Sequence, residues 1–172
     1  MSEARRTSNL FKVEGARLIF KNFAGKGSEY NNEGDRNFGV LISDEDSVML
    51  KDDGWNVKYL RPREDDPANY RQPWLPVKVK FNNYPPTIYI IIPDEDHPRK
   101  VRLGEDTVEQ LDWTAIEFAD LVIRPYNYPA TPIRPAGVSA YLKAAYITIH
   151  QDDLEKKYGS IPEEGDMDEY DD

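Results

Sequence analysis

Apolar and polar residues alternate along several short segments of the chain, and turn residues separate these segments. The clearest alternation covers Leu75–Phe81, where every second side chain is apolar and Lys78 and Lys80 fall on the opposite face. A period of two places one face of a strand in a core and the other in solvent. The other strands predicted in this way are 16–23, 38–42, 55–60, 87–92, 118–124 and 138–149. The last is long enough to bend or carry a β-bulge, and the whole pattern is typical of an all-β domain.

Two short helices are predicted between the strands. Ser43 is a suitable helix N-cap, the acids of Asp44–Asp46 suit a helix N-terminus, and Gly54 is a suitable stop. A second helix is predicted near 105–111. The segment 61–73 has no periodicity and contains three prolines, so it is predicted to be a long exposed loop.

The negative charge of the chain is concentrated at its C-terminal end. The 172 residues carry a formal net charge of −10, but residues 152–172 alone contain ten acids against two lysines. Residues 1–151 therefore contain 22 acidic and 20 basic residues. This part of the chain is nearly neutral and can accept an anionic ligand. We expect an N-terminal arm over 1–15, one folded domain over 16–158 and a disordered acidic tail over 159–172.

Several functional classes are disfavoured by what the sequence lacks. The absence of cysteine excludes disulfides, thiol catalysis and thiolate metal sites, and it fits a reducing compartment. No apolar run approaches the roughly 20 residues that span a bilayer, and no phosphate-binding glycine loop or nucleophile motif is present. Asp94–His97 is interpreted as a solvated turn, because successive side chains of a turn diverge. The sequence predicts a cytoplasmic protein that is not an enzyme, needs no metal or cofactor and does not bind a membrane.

Aromatic and basic residues are interleaved along the predicted strands and loops. Bases of single-stranded nucleic acid stack on aromatic rings while Lys and Arg follow the phosphates. Because strands also use Tyr and Trp for ordinary packing, about half of these rings are expected in the core or at sheet edges. The candidate DNA-binding residues are Lys21, Phe23, Lys26, Tyr30, Arg36, Trp55, Lys58, Tyr59, Arg61, Arg63, Lys78, Lys80, Arg124, Tyr126, Tyr141 and Lys143.

Five aromatic residues of this set are predicted to stack on bases, because each has a basic residue within a few positions. They are Phe23, Tyr30, Trp55, Tyr59 and Tyr126. Trp74 is the alternative fluorescent reporter of binding, whereas Trp113 is predicted to be buried. The alternation in the strand at 75–81 predicts that Lys78 and Lys80 form an exposed cationic face.

The acidic C-terminal segment has a small apolar component. Met167 and Tyr170 stand among its acids, which a segment serving only solubility would not need. A tethered polyanion can compete with nucleic acid for a cationic groove, and it becomes available to partner proteins when DNA occupies that groove. A solubilising appendage is the simpler interpretation. The candidate partner-binding residues are Asp166, Met167, Asp168, Glu169, Tyr170, Asp171 and Asp172.

Five stretches together resemble a family of bacteriophage single-stranded-DNA-binding proteins. They are LIFKNFAGKGSEYNNEGDRNFGVLI (18–42), DGWNVKYLRPRE (53–64), LPVKVKFNNYPPTIYII (75–91), LDWTAIEFADLVIRPYNY (111–128) and GVSAYLKAAYITI (137–149). The resemblance covers most of 16–158 and implies an OB-type β-barrel, closed or partly open. It also implies sequence-independent binding of single-stranded DNA in phage replication or recombination, within the host cytoplasm. The acidic C-terminus would contact replication proteins such as a polymerase, helicase or primase.

Functions of other classes remain open at this point. An acidic protein-interaction module could mimic DNA and inhibit a host nucleic-acid-binding protein. In that case oligonucleotides would not bind, and removing the charge of the tail would abolish activity. A metal-dependent nuclease is the least favoured alternative, because the sequence offers no carboxylates that can be placed together.

Overall fold

The computed structural model describes residues 9–94 and 96–150. The strands of this part of the chain are β1 (Phe11–Ala16), β2 (Leu18–Asn22), β3 (Arg36–Leu41), β4 (Lys58–Tyr59), β5 (Pro73–Val79), β6 (Thr87–Ile92), β7 (Arg99–Leu103), β8 (Ile116–Tyr128) and β9 (Gly137–Ile149). Helix α1 covers Asp44–Asp52, and a 3-10 helix covers Val108–Asp112. The tail predicted over 159–172 lies outside the described residues.

The nine strands belong to one sheet. Its main path runs β1-β8-β9-β5-β3-β2, while β4 pairs with β5, and β6 pairs with both β7 and β9. β5 and β6 run parallel to β9, and the other pairs are antiparallel. β1 and β2 are the two edge strands of this main path, and only Arg17 separates them in the sequence. The chain therefore connects the two edges, although β1 and β2 do not pair by hydrogen bonds. The prediction of a mainly β fold with an OB-like barrel, closed or partly open, is confirmed, and the sheet has the form that is not closed.

The inner face of this sheet forms the hydrophobic core. On β5, Leu75, Val77 and Val79 are buried, whereas Lys78 between them is exposed. The antiparallel register of β3 places the buried Phe38 opposite Val77. Because side chains alternate between the two faces, every residue in register with Lys78 lies on the outer face of the barrel.

Helix α1 begins and ends as predicted. The Ser43 hydroxyl accepts a hydrogen bond from the Asp46 N–H at 3.0 Å, which satisfies one of the free donors of the first turn. Gly54 has a φ of +90°, the left-handed conformation that commonly follows a helix. The second predicted helix is the 3-10 helix, displaced a few residues towards the C-terminus.

Three elements differ from the predictions. Residues 11–15, assigned to the N-terminal arm, belong to β1, where Phe11 and Val13 pair with β8. The alternation pattern does not predict β7, because its sequence RKVRL is mostly basic and only Leu103 is buried. The strand predicted over 55–60 is reduced to the two residues of β4, because Trp55 makes only an isolated bridge.

β9 carries a bulge near its centre. Ile123 on β8 pairs with Leu142, but the next pair along is Val122 with Ala144. Lys143 is therefore the extra residue of β9, unpaired in this ladder and exposed. The bend or bulge predicted for the strand at 138–149 is confirmed, and it shifts the alternation of β9 by one residue.

Candidate nucleic-acid interface

The outer face of β5, β9 and β8 brings basic and aromatic side chains together. Lys78 is in register with Tyr141, which is itself in register with Arg124. Lys78 Nζ lies 5.7 Å from the centre of the Tyr141 ring, and Arg124 Cζ lies 4.8 Å from it. The ring thus holds two cations by cation–π contacts, which keep both charges at the surface.

Two further tyrosines extend this group. The Tyr84 ring centre lies 5.6 Å from Arg124 Cζ, and the Tyr126 ring meets Tyr141 edge-on with centroids 5.7 Å apart. Tyr84 is 73% exposed, so most of its ring is open to a ligand. We refer to Lys78, Tyr84, Arg124, Tyr126 and Tyr141 as the central cluster. Exposed rings flanked by cations have the chemistry that stacks bases and binds phosphates.

A second group is built around Trp74, four residues before Lys78 on the same face of β5. The Phe20 ring meets Trp74 edge-on at 5.1 Å, and Lys58 Nζ lies 5.7 Å from the Trp74 ring centre. Gly39 on β3 makes room for this ring, because a Cβ at that position would lie 2.7 Å from a Trp74 ring carbon. We refer to Phe20, Lys58 and Trp74 as the Trp74 cluster.

Tyr59 lies between two other cations. Lys51 Nζ is 5.5 Å and Arg71 Cζ is 5.9 Å from the centre of its ring. Tyr59 follows Lys58 on β4, and β4 pairs with the first residues of β5. Because side chains alternate along a strand, the predicted stacking residue Tyr59 faces away from Lys58 and the Trp74 cluster.

Five other predicted DNA-binding residues are exposed on loops or at the bulge of β9. Lys26 and Tyr30 lie on the loop between β2 and β3, and Arg61 and Arg63 lie on the loop between β4 and β5. Lys143 lies on the β9 bulge. Among the contacts of the described residues, none joins these five side chains to the central cluster.

Two of the predicted stacking residues belong to the core. Phe23 is 0% exposed and stacks on Phe38 at 5.2 Å, while Trp55 is 4% exposed and meets Phe11 edge-on at 6.4 Å. A ring without an exposed face cannot stack on a base, so the prediction is wrong for both. The opposite error concerns Trp113, which is predicted to be buried and is 67% exposed.

Lys21, one of the predicted DNA-binding residues, is partly buried and makes two hydrogen bonds within the protein. Its Nζ donates to the carbonyl oxygens of Leu111 at 2.8 Å and Thr114 at 3.1 Å. Burial lowers the pKa of Lys21, although the nearby Asp112 carboxylate acts in the opposite direction. The hydrogen bonds of the Lys21 ammonium thus connect β2 to the C-terminal end of the 3-10 helix.

Arg36 and Lys80 face carboxylates at one end of the sheet. Arg36 lies over the Phe81 ring at 5.6 Å, with a guanidinium nitrogen 3.7 Å from a Glu105 carboxylate oxygen. Lys80 Nζ lies 4.0 Å from an Asp35 carboxylate oxygen. Ion pairs at such distances near the surface contribute little stability.

The acidic residues of the described chain do not form a metal site. Within residues 9–94 and 96–150, no group of three or more His, Asp or Glu is arranged to hold a metal ion. An Asp94 carboxylate oxygen accepts the Asp96 N–H at 3.2 Å, as in a solvated turn. In the same part of the chain, no helix has the length and apolar character to cross a membrane. The candidate partner-binding residues 166–172 lie outside it.

The sequence as a whole matches a known family. The profile of the family described as "Putative phage ssDNA-binding domain" matches residues 1–171. The chain belongs to this family. It is a phage single-stranded-DNA-binding protein, as the resemblance of the five sequence stretches implies. Among curated proteins, none matches the chain significantly.

Solved structures of phage single-stranded-DNA-binding proteins are similar at low sequence identity. The protein from bacteriophage Enc34 in complex with single-stranded DNA is 11% identical, with a TM-score of 0.46 over 83% of this chain and 88% of that chain. Its C-terminally truncated form is 14% identical, with a TM-score of 0.45 over 83% and 87% of the two chains. The gp2.5 protein of bacteriophage T7 is 9% identical, with a TM-score of 0.39 over 92% and 98%.

The predicted DNA-binding residues of this phage protein do not include the partly exposed Trp74 or the exposed Phe20 and Tyr84. Trp74 precedes Lys78 by four residues on β5. Because side chains alternate along a strand, Trp74 lies on the same face as Lys78. Phe20 has a φ of +50° at an irregularity of β2, and Tyr84 lies on the turn after β5. Neither position has a periodic signal in the sequence.

Oligo-dT is expected to quench the fluorescence of Trp74 and to leave that of Trp55 unchanged. Trp74 is partly exposed beside Lys58, whereas Trp55 is enclosed in the core. In a fluorescence titration, a Trp55→Phe variant should retain the full DNA-induced change and a Trp74→Phe variant should lose most of it. Trp113→Phe is the matched control for an exposed indole outside both clusters. Loss of the signal in that control, with its retention in Trp74→Phe, would contradict the assignment.

Proposed function

We propose that this phage protein coats single-stranded DNA without sequence preference during DNA replication or recombination. The proposal depends on the central cluster, where Tyr141 lies between Lys78 and Arg124 across three neighbouring strands. Aromatic faces stack on any base, and phosphates are the same at every position, so this chemistry does not read sequence. In this proposal the protein acts in the host cytoplasm by binding alone, without catalysis, metal or cofactor.

Binding at the central cluster combines stacking with charge. Tyr84 and Tyr126 offer exposed rings to bases, while Lys78 and Arg124 reach the phosphates between them. The planar guanidinium of Arg124 can donate two parallel hydrogen bonds to a phosphate while it stays over the Tyr141 ring. Each phosphate contact releases condensed counterions, so the affinity should fall as the salt concentration rises.

The Trp74 cluster supplies neighbouring contacts for the same strand. Trp74 and Lys78 are four residues apart on one face of β5, and a strand rises about 3.3 Å per residue, which separates them by about 13 Å. Lys58 adds a cation beside the indole. A single strand that leaves the central cluster along β5 therefore meets a second aromatic platform with its own charge.

Titration with oligo-dT at two salt concentrations tests the proposed function. We expect saturable binding, a fluorescence change, and an affinity that falls with a log–log slope of about −0.7 for each phosphate contact. A mixed-sequence oligonucleotide of equal length should bind with similar affinity, because no base edge is read. If no oligonucleotide binds at low salt, the proposal is wrong and the DNA-mimic function is favoured instead.

We also propose that the acidic tail inhibits DNA binding within the same chain and recruits a replication protein. Residues 162–172 contain seven acidic residues and no basic one, and they follow shortly after Gly159 and Ser160, two residue types that are common in linkers. A tether of this kind raises the local concentration of the polyanion at the cationic clusters to the millimolar range. DNA that displaces the tail makes Met167 and Tyr170 available to a partner such as a polymerase, helicase or primase.

Deleting 162–172 is expected to tighten oligo-dT binding, more at low salt than at high salt. The deletion changes the formal net charge from −10 to −3, and the competition that it removes is electrostatic and therefore screened by salt. Affinities should be measured across a salt series for the full chain and for the truncated chain. A tail of equal length with its acids replaced by Asn and Gln is the matched control and should behave like the deletion. Equal affinities of the full and truncated chains at every salt concentration would exclude autoinhibition.

A further inference from the structure

A third group of aromatic and basic side chains lies on the outer face of β9, beyond its bulge. Tyr89 on β6 is in register with Tyr146 on β9, and their rings stack with centroids 5.7 Å apart and an angle of 15° between the planes. Lys100 Nζ lies 4.6 Å from the centre of the Tyr89 ring, and Arg102 is in register with Tyr89 on the same face of β7. We refer to Tyr89, Lys100, Arg102 and Tyr146 as the distal cluster.

The distal cluster is accessible and positively charged. Tyr146 is 40% exposed, and Lys100 and Arg102 are exposed on β7, which pairs only with β6 among the described strands. The carboxylate in register with Tyr146 is Asp120, which accepts the Gly15 N–H at 2.8 Å. Lys100 and Arg102 thus supply two exposed cations, while the Asp120 carboxylate beside Tyr146 already has a hydrogen-bond donor.

The distal and central clusters share strand β9 and the same face of the sheet. Tyr141 and Tyr146 both face outward, because Leu142 and Ala145 between them are buried. Five residues of strand separate the two tyrosines by about 16 Å. Lys143 on the bulge is exposed between them. A line of aromatic and basic side chains thus continues from one cluster to the other.

We propose that the distal cluster is a second contact for the DNA strand that occupies the central cluster. The strand would run along β9, pass Lys143, and stack a base on the exposed surface of Tyr146 while Lys100 and Arg102 take phosphates. This inference rests on the proposed function and adds the path of the DNA and the length at which binding is complete. Affinity should therefore keep rising with oligonucleotide length until both clusters are occupied.

The length dependence can be tested with two charge-reversal variants of the full chain that change the net charge equally. Lys100→Glu/Arg102→Glu alters the distal cluster, and Lys78→Glu/Arg124→Glu alters the central cluster. Each is titrated with oligo-dT of about four and about 16 nucleotides, the limits of site size for a single OB-type domain. The distal variant should bind the short oligonucleotide as the unmodified protein does. On the long one it should lose about tenfold or more in affinity, with a salt slope shallower by about 1.4 for two lost contacts.

An uncharged variant separates the tyrosines from the cations. Tyr89→Ala/Tyr146→Ala should bind the long oligonucleotide about five- to 100-fold more weakly and the short one normally, because one base loses its stacking partner. Thermal unfolding checks that each variant is folded. The central variant should weaken the binding of both lengths.

Three results would overturn the inference. The first is that the folded distal variants bind the long oligonucleotide as tightly as the unmodified protein does. The second is that they lose affinity equally for both lengths, and the third is that they change the oligomeric state without a length-selective loss, which would make this surface a protein interface. If the unmodified protein binds neither oligonucleotide, the proposed function fails as well, so the two failures are distinguishable.

Discussion

Replacing Lys78 and Arg124 together by Glu is expected to weaken oligo-dT binding by at least about 100-fold at low salt. The two cations flank Tyr141 at 5.7 Å and 4.8 Å, both within cation–π distance of its ring. A hydrogen bond to a charged group contributes about 1.5–3 kcal/mol, so two lost contacts amount to about 3 kcal/mol or more, a factor of about 100 or more in affinity. The salt slope should also become shallower by about 1.4, because about 0.7 is lost with each phosphate contact.

A charge-conserving exchange is the control for this variant. Lys78→Arg/Arg124→Lys keeps both positive charges on the outer face and should retain the salt slope, with a smaller loss from the changed geometry of each group. Both variants should unfold at nearly the temperature of the unmodified protein, since Lys78 is exposed and Arg124 lies outside the core. Unchanged affinity in a folded Glu variant would remove the outer face of β5, β9 and β8 from the DNA-binding site.

Elements of the fold that depend on local pattern are predictable from the sequence. The alternation at Leu75–Phe81 and the Ser43 cap use only neighbouring residues, and both are confirmed. β7 is different because it is an edge strand, paired only with β6 in the described sheet, and four of its five residues are exposed. An exposed strand need not alternate, so its existence depends on pairing that the local sequence does not contain.

The sequence predicts the site only where a clear strand pattern shows which face of the sheet a residue lies on. Lys78 is outward because its neighbours on β5 are apolar, and the register of the sheet then carries Tyr141 and Arg124 to the same face. Phe23 and Trp55 also have Lys residues nearby in the sequence, but both aromatic side chains lie in the core. A basic residue nearby in the sequence therefore does not distinguish an aromatic ring that stacks on DNA from one that packs in the core.

The bulge of β9 explains why the distal cluster is not predicted. With strict alternation from Tyr141, position 146 would face the core, but the extra residue Lys143 restores it to the outer face. The register with β6 then places Tyr89 against Tyr146. Both steps depend on pairings between residues far apart in the sequence, which a pattern of single positions does not show.

Replacing Tyr141 by Ala is expected to weaken oligo-dT binding by about 10- to 100-fold with little change in salt slope. The ring contacts Lys78, Arg124 and Tyr126, so its loss removes a stacking surface worth about 1–3 kcal/mol and the cation–π contacts that orient both charges. The two cations themselves remain, and the number of counterions released on binding depends on them. The slope measured across a salt series should therefore stay close to that of the unmodified protein.

Tyr141→Phe distinguishes the ring from its hydroxyl. Stacking and cation–π attraction need only the aromatic face, so this variant should bind nearly as tightly as the unmodified protein. Tyr141 is partly exposed on the outer face, and thermal unfolding of both variants shows whether the Ala substitution acts on binding or on the fold. A loss in Tyr141→Phe as large as in Tyr141→Ala would assign the contribution to a hydrogen bond of the hydroxyl. A salt slope reduced as much as by the loss of both cations would mean that the ring acts only by holding Lys78 and Arg124 in place.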